Sequence, residues 1–332
     1  MVKICVKSGI KQLPWFANEK FPYFEAFLDH ADKPDELLNT RMKLISIHLP
    51  NVLRVDGEIM PVSFNPASPA AETSKRKLEE IVEFSKKNGV ENIVLHPGHF
   101  NSFSEDRYSI IDDMAKYFSS LSTSGVKICV ENIPCWMNIS FENEPLCSNE
   151  KHLLYLQKQC PNVGLAFDID HAAINAVFQE VYQKYRDSYR QIIDKTKLLK
   201  EMEREIIKLV SDNIEYFVIL VNKTINEFLQ VIEPTVVHAT GSDFCQYWTF
   251  DDLPLRGESL PMGFLGKISG QEVRDRLDHS RWIEQLIEKD INVAITMELS
   301  LRGEYDYIEQ LKTNQNYLNT IINTKIKKHV DN

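Results

Sequence analysis

The sequence is poor in glycine and lacks both a paired-cysteine motif and a long apolar run. Only 12 of its 332 residues are glycine, and none of the six cysteines has CxxC or zinc-knuckle spacing. The longest apolar run, YFVILV at 216–221, is far too short to span a membrane. These absences disfavour a disulfide framework, a thiolate zinc site and a membrane protein.

The chain also lacks an excess of positive charge. Lys and Arg number 38 against 48 Asp and Glu, which gives a formal net charge of −10. This balance argues against gripping a polyanion with the whole surface, although a local basic patch stays possible. The start MVKICVKSG has no charged region followed by a long apolar one, so we expect no signal peptide and a reduced, cytoplasmic setting.

Short β-branched runs alternate with longer helical patterns along the chain. Most of these runs are continuously apolar, which is typical of parallel strands covered on both faces or closed into a barrel. The pattern predicts an α/β fold, a (β/α)8 TIM barrel formed by residues 1–332 as a single domain. The predicted strands are 2–8, 22–28, 43–49, 92–96, 126–132, 163–170, 235–240 and 292–299, and the clearest helices are 75–87, 105–121, 271–288 and 305–322.

One connection is oversized, because no Gly or Pro occurs between Gly164 and Pro234. Residues 172–232 hold far more helix than one crossover needs. They predict a long helical insertion between the sixth and seventh strands, with helices at about 172–211 and 213–232. Its basic stretch can be a solvated face, a lid or a subunit interface, so a homodimer through the insertion is one hypothesis.

Polar side chains stand where the predicted strands end. The carboxyl ends of barrel strands are where such enzymes build their sites, and histidine and carboxylate at six successive strand ends indicate a metal site. Carboxylate and neutral imidazole bind divalent ions such as Mn²⁺, Zn²⁺, Co²⁺ or Mg²⁺. The strand-end residues are His48, His96, Glu131, Asp168, His238 and Glu298, with His171 three positions after Asp168.

Six short motifs resemble the xylose isomerase-like TIM-barrel superfamily, which includes sugar isomerases and epimerases and the endonuclease IV type of repair enzymes. The resemblance covers roughly 1–170 and 234–320 and leaves the insertion outside it. The motifs are HLP at 48–50, LHPG at 95–98, VENIP at 130–134, DIDH at 168–171, VVH at 236–238 and MEL at 297–299.

The isomerase and epimerase branch implies one divalent ion held by Glu131, Asp168, His238 and Glu298. The two glutamates would then move a proton between adjacent substrate carbons while the ion stabilises the enediolate. In this branch His171 would bind a substrate oxygen, and His48 and His96 also serve as substrate-binding residues.

Two loops complete the predicted substrate site. The segment LPMGFLGKI at 260–268 resembles the glycine-rich loop after the seventh strand. It would bring Arg256 or Lys267 to a substrate hydroxyl or phosphate, or its glycines only supply a turn. Trp136 follows the strand of Glu131 and either lines the pocket or packs beneath it.

The endonuclease IV branch implies more than one ion. His48 and His96 would join Glu131 around a first metal, and Asp168, His238 and Glu298 would hold a second that Glu131 bridges. A third site needs an Asp-x-His pair, which does not occur between His238 and Gly266. A two-metal site therefore remains, with one or two ions per chain overall.

The strand-end residues and the family resemblance lead to three hypotheses of function. The first is a divalent-metal-dependent isomerase or epimerase of a sugar or similar polyol, with a small-molecule partner. The alternative is a two-metal phosphoesterase or AP endonuclease, with nucleic acid as partner. The third is a non-catalytic barrel that binds a partner through the insertion.

Overall fold

The structure, a computed structural model, describes residues 2–38, 40–100, 105–121, 123–135, 145–191, 208–244, 259–268, 271–289, 291–299 and 306–331. Short strands alternate with helices along these ranges, as the apolar runs predict. In chain order the strands are β1 (Val2–Gly9), β2 (Tyr23–Phe27), β3 (Lys43–His48), β4 (Val52–Val55), β5 (Glu58–Pro61), β6 (Asn92–Leu95), β7 (Lys127–Glu131), β8 (Gly164–Asp168), β9 (Val236–Ala239), β10 (Leu265–Ile268), β11 (Gln271–Arg274) and β12 (Val293–Met297).

Eight of these strands close into a parallel barrel in the order β1-β12-β9-β8-β7-β6-β3-β2. Each barrel strand pairs with the next one along the chain, and β12 closes the ring on β1, from Val2 opposite Val293 to Val6 opposite Met297. The predicted TIM barrel is therefore confirmed. Parallel closure places all the carboxyl ends of the strands at one mouth.

Helices cover the outside of the barrel. The α-helices are α1 (Ala71–Asn88), α2 (Arg107–Ser120), α3 (Glu150–Gln159), α4 (Ile169–Gln191), α5 (Ile214–Val231), α6 (His279–Glu288) and α7 (Tyr307–Asp331), and short 3-10 helices span Ile10–Phe16 and Pro34–Leu38. A large apolar core fills the space between these helices and the barrel wall. No helix in the described part of the chain is both long and apolar enough to cross a lipid bilayer.

The predicted helix at 271–288 is wrong over its first part. Residues Gln271–Arg274 form β11, which pairs antiparallel with β10 in a hairpin outside the barrel. The helix begins only at His279, after Asp278, whose side chain accepts a hydrogen bond from the Arg281 backbone N–H. The helix starts after Asp278 because Asp is a strong helix cap. Residues 271–274 form a strand instead, because β10 lies beside them and pairs with them.

The chain between β8 and β9 contains the helices α4 and α5, which pack against each other. Phe217, Val221 and Phe228 of α5 face the core, whereas Ile219 is 68% exposed on the opposite side. The described ranges omit 192–207, and a distinct insertion at 172–232 and a dimer through it stay predictions.

The barrel interior begins with an apolar layer to which every barrel strand contributes one side chain. Bulky and small residues fill this layer, so this part of the barrel interior is a packed core. The layer consists of Cys5, Tyr23, Ile45, Val94, Cys129, Ala166, Val236 and Ala294.

Candidate active site

A polar layer lies directly above the apolar one. Side chains of a strand alternate between its two faces, so the residue two positions further along returns to the barrel interior. Seven strands place a polar residue at that position, namely Lys7, Glu25, His96, Glu131, Asp168, His238 and Thr296. On β3 the register slips by one residue, which brings Ser46 opposite Glu25 and His48 opposite Phe27.

His238 lies at the centre of the first group of candidate ligands. Its Nδ1 atom is 3.2 Å from Glu131 Oε1, 3.3 Å from Glu298 Oε2 and 3.6 Å from Asp168 Oδ2. The imidazole is fully buried, as is Glu131. Of the four residues predicted to bind one ion, the three carboxylates therefore converge on a ring nitrogen of the fourth, His238.

Asp168 both shapes the backbone and faces the site. As the last residue of β8, it accepts a hydrogen bond from the His171 backbone N–H through Oδ1 (2.8 Å), as a helix cap does. Its backbone N–H donates to Asn132 Oδ1 (2.7 Å), and Asn132 Nδ2 donates to the Asp168 carbonyl (2.8 Å). These bonds direct Oδ2 toward His238 and explain why an apolar strand ends in DIDH.

A second group of ligands faces the other oxygen of Glu131. Glu131 Oε2 is 2.9 Å from His48 Nε2 and 3.4 Å from His96 Nε2. His48 Nδ1 lies 2.6 Å from the carbonyl of Leu49, which can only accept, so this nitrogen carries the proton. Nε2 is therefore the nitrogen that His48 presents to Glu131 and to the site.

His171 stands between the two groups. Its Nδ1 is 2.9 Å from the Asn132 carbonyl and 3.2 Å from Glu131 Oε1, and its Nε2 is 3.8 Å from Asp168 Oδ2. The predicted role of His171 in binding a substrate oxygen is compatible with this place at the mouth, where its side chain is 12% exposed.

Two residues of the site escaped the sequence analysis. Lys7 Nζ lies 2.6 Å from Glu298 Oε2, and Glu25 Oε1 lies 2.8 Å from His238 Nε2. Both are polar residues inside short apolar strands, VKICVKS and PYFEAFL. The two-residue alternation of a strand could have identified them. Lys7 and Glu25 each stand two positions after an interior apolar residue, at the level of the predicted ligands on the other strands.

Negative charge dominates this buried layer. Among the described residues of the site, the carboxylates of Glu25, Glu131, Asp168 and Glu298 face one ammonium group, that of Lys7. Buried carboxylates need compensation by a proton, a partner or a cation.

Imidazoles supply that compensation in the metal-free protein. Burial acts to lower the pKa of His171, but Asp168 and Glu131 outweigh it and raise this pKa to about 10. Burial and Lys7 likewise act to lower the pKa of His238, but Glu25 and Glu131 raise it well above its usual value. A divalent cation can replace these protons, because metal ligands must be deprotonated.

The donor set fits a divalent cation. Three groups of residues each bring their donor atoms within 4.8 Å of one another, namely His48 with Glu131 and His238, His96 with Glu131 and His171, and Asp168 with His238 and Glu298. Imidazole nitrogen and carboxylate oxygen suit Zn²⁺ and Mn²⁺, and no thiolate takes part among the described residues.

Three further residues are predicted to contact the substrate, and the structure does not place them beside the polar layer. Trp136 and Arg256 lie outside the described residues, and their roles stay predictions. Lys267 lies on β10 with an exposed side chain. Nearby, Gly263 adopts φ +71°, a conformation that favours glycine, as the turn interpretation of this loop expects.

A family model described as "Xylose isomerase-like TIM barrel" matches residues 17–197, more than half of the chain. The chain belongs to the xylose isomerase-like TIM-barrel family. Its membership agrees with the closed parallel barrel and with the resemblance carried by the six short motifs.

Solved structures share the fold of this xylose isomerase-like barrel at low sequence identity. A D-tagatose 3-epimerase-like protein is 15% identical, with 98% of this chain and 99% of that one covered at a TM-score of 0.58. The IOLI protein with a bound zinc atom is 14% identical (97% and 99% covered, TM-score 0.54). An AP endonuclease of family 2 from Brucella melitensis is 12% identical (96% and 99% covered, TM-score 0.54).

A comparison with curated protein sequences finds no match. The solved structures support the architecture of this xylose isomerase-like barrel. Its chemistry depends on the residues of its own site, because one fold can carry many functions.

Proposed function

We propose that the protein is a divalent-metal-dependent isomerase or epimerase of a sugar or sugar-like polyol. The observation that carries the proposal is the convergence of Glu131, Asp168 and Glu298 on the Nδ1 atom of His238. These four residues would hold one ion. When bound, such an ion stabilises negative charge that develops on the substrate oxygens.

The two glutamates supply the proton transfer. Glu131 ends β7 and Glu298 follows β12, and β8 and β9 lie between these strands in the barrel. The carboxylates therefore approach the centre from separate sides. One carboxylate removes the C–H proton beside the substrate carbonyl, the electron pair of that bond enters the enediolate, and a proton is then returned to carbon by one of the two glutamates.

A cavity beside Glu298 suits a small polyol. It has a volume of about 290 Å³, just below the roughly 300–1,000 Å³ typical of small-molecule sites. The Phe27 ring can cover a C–H face, and amides and hydroxyls can pair with substrate hydroxyls. The lining includes Lys7, Ser8, Gln12, Phe27, Asn51 and Tyr307.

Solvent deuterium incorporation tests this function. The protein loaded with Mn²⁺ or Zn²⁺ would be incubated with a panel of ketoses and aldoses in D₂O, and mass spectrometry would follow label at carbon. We expect label and a new sugar isomer from at least one substrate, with both lost in Glu298→Gln. A metal-loaded protein that labels none of a broad panel contradicts the proposal.

One observation favours a second candidate, a two-metal phosphoesterase. Glu131 directs Oε1 toward His238 and Oε2 toward His48 and His96, as a carboxylate that bridges two ions would. Metal content measured by mass spectrometry separates the candidates. About two ions per chain, with one lost in His48→Ala, together with hydrolysis of bis(p-nitrophenyl) phosphate or an abasic-site duplex, would favour this function.

A further inference from the structure

The carboxylate of Glu25 is buried inside the barrel, with no exposed surface. Its Oε1 atom lies 2.8 Å from Nε2 of His238, the ring nitrogen that faces away from the other candidate ligands. Neither atom makes a well-directed hydrogen bond with any group of the described chain, so their 2.8 Å contact is a close ion pair. Among the described residues, it is the one ion pair that either atom makes.

The second oxygen of Glu25 is held by hydroxyl groups of two further strands. Ser46 Oγ donates to Glu25 Oε2 at 2.6 Å, and Thr296 Oγ1 donates to the same oxygen at 3.3 Å. The slip in register between β2 and β3 falls between Phe24 and Glu25 and puts Ser46 opposite Glu25. Such irregularities often re-aim side chains next to active sites.

Thr296 stands directly beside His238 in the pairing of β12 with β9. Glu25 is therefore tied to β3 and β12 through its Oε2 and faces β9 through its Oε1. A carboxylate held in this way has little freedom to leave the imidazole.

We infer that Glu25 is a positioning residue for the metal centre, which it serves by holding the Nε2 proton of His238. This would leave Nδ1, the nitrogen on the side of Glu131, Asp168 and Glu298, to bind an ion. A carboxylate on the second nitrogen of a metal-binding histidine sets its tautomer and ring orientation and raises its basicity. The inference rests on the metal centre of the proposed function and adds a residue outside its ligand set.

Packing alone does not account for this residue. A fully buried carboxylate is costly to desolvate, and an aliphatic side chain would fill the barrel at lower cost. The hydroxyl groups and the imidazole that surround Glu25 all face its oxygens, which indicates that the charge itself is used.

Zinc affinity tests the inference without any assay of catalysis. The full chain would be stripped of metal, and its Kd for Zn²⁺ would be measured by competition with a chromophoric chelator. Glu25→Gln keeps an acceptor and removes the charge, and we expect it to weaken zinc binding by about 10–100-fold. Glu91→Gln makes the same change at the opposite end of the barrel and should leave the Kd unchanged.

Two further readouts keep the test decisive. If Glu25→Gln does not fold, Ser46→Ala and Thr296→Val loosen Glu25 without removing it, and zinc binding should weaken by a smaller factor. Histidine ¹⁵N spectra of the zinc-loaded protein, assigned with His238→Gln, should show the His238 proton on Nε2.

The outcomes separate the inference from the proposed function. A wild-type protein that binds no divalent ion removes the metal centre and the role of Glu25 together. Either of two results would overturn the role of Glu25 and leave the metal centre intact. The first is wild-type zinc affinity in folded Glu25→Gln or, where that variant does not fold, in both hydroxyl variants. The other is a zinc-loaded protein in which the His238 proton lies on Nδ1.

Discussion

The two ends of the barrel interior handle carboxylate charge in different ways. At the amino-terminal end Glu91 lies between the ammonium groups of Lys3 and Lys43, and all three side chains reach solvent. At the carboxyl-terminal end four carboxylates face Lys7 and a set of buried imidazoles. One end balances its charge with its own lysines and water, whereas the other leaves a deficit that protons or a cation must fill.

The contrast between the two ends indicates where chemistry can occur in the fold. A carboxylate with two lysine partners near solvent is stable as it stands and has no reason to bind an ion. Carboxylates packed against imidazoles are poised between a protonated, metal-free state and a metal-bound one. Substitutions that change one end at a time can therefore test this contrast.

The largest effect is expected from Glu131→Gln or Glu298→Gln. Each removes a proposed proton-transfer group that is also a candidate ligand, so solvent deuterium exchange into the substrate should fall by at least about 10²–10⁴-fold. The rate would be measured with the substrate found in the sugar panel. Near-wild-type exchange in either variant would argue against the assignment.

The second prediction concerns pH. The pKa of His171 is raised to about 10 in the folded protein, against about 6.5 in the unfolded chain. The protonated His171 ring therefore contributes to the free energy of unfolding. This contribution is fully present below pH 6.5 and is lost as pH rises toward 10. Metal-free protein should therefore lose on the order of a few kcal/mol of stability over this window.

Urea unfolding in a chelator at several pH values measures that loss. His171→Gln should flatten the slope, and saturating Zn²⁺ should reduce it because the ion replaces the proton. An equal slope with and without zinc would contradict the exchange of proton for metal.

Lys7→Met removes the one ammonium group that the described residues place at the carboxyl-terminal end. The substitution leaves Glu298 without its ammonium partner and should cost about 3 kcal/mol in the metal-free protein. The cost should shrink when Zn²⁺ is bound, because the cation then compensates the same carboxylate. Thermal unfolding with chelator and with zinc gives both values, and an identical loss under the two conditions would refute the coupling.

The smallest effect is expected at the other end of the barrel. Glu91 is 37% exposed, so Glu91→Gln should change the free energy of unfolding by less than about 1 kcal/mol. Deuterium exchange and zinc affinity should stay at wild-type values. A large change in either would show that the two ends are coupled.

Much of this architecture can be predicted from the sequence. All eight predicted strands form barrel strands within two residues of their predicted bounds, because continuous apolar runs are buried in nearly any fold. The prediction that polar residues at strand ends converge also holds, since parallel closure brings those ends together. The helix at 271–288 is partly wrong, because a turn pattern and a nearby strand outweighed helical spacing in its first residues.

The class of fold, the order of the strands and the chemical character of the barrel mouth can all be predicted from the amino-acid sequence. Local patterns carry this information, since apolar periodicity and residue type act over a few positions. The pairing of the polar groups, in contrast, depends on the three-dimensional fold. Lys7 meets Glu298 across 291 positions of chain, and Glu25 reaches His238 where the register of β2 and β3 slips. Such contacts depend on how the barrel closes, and no local pattern encodes that closure.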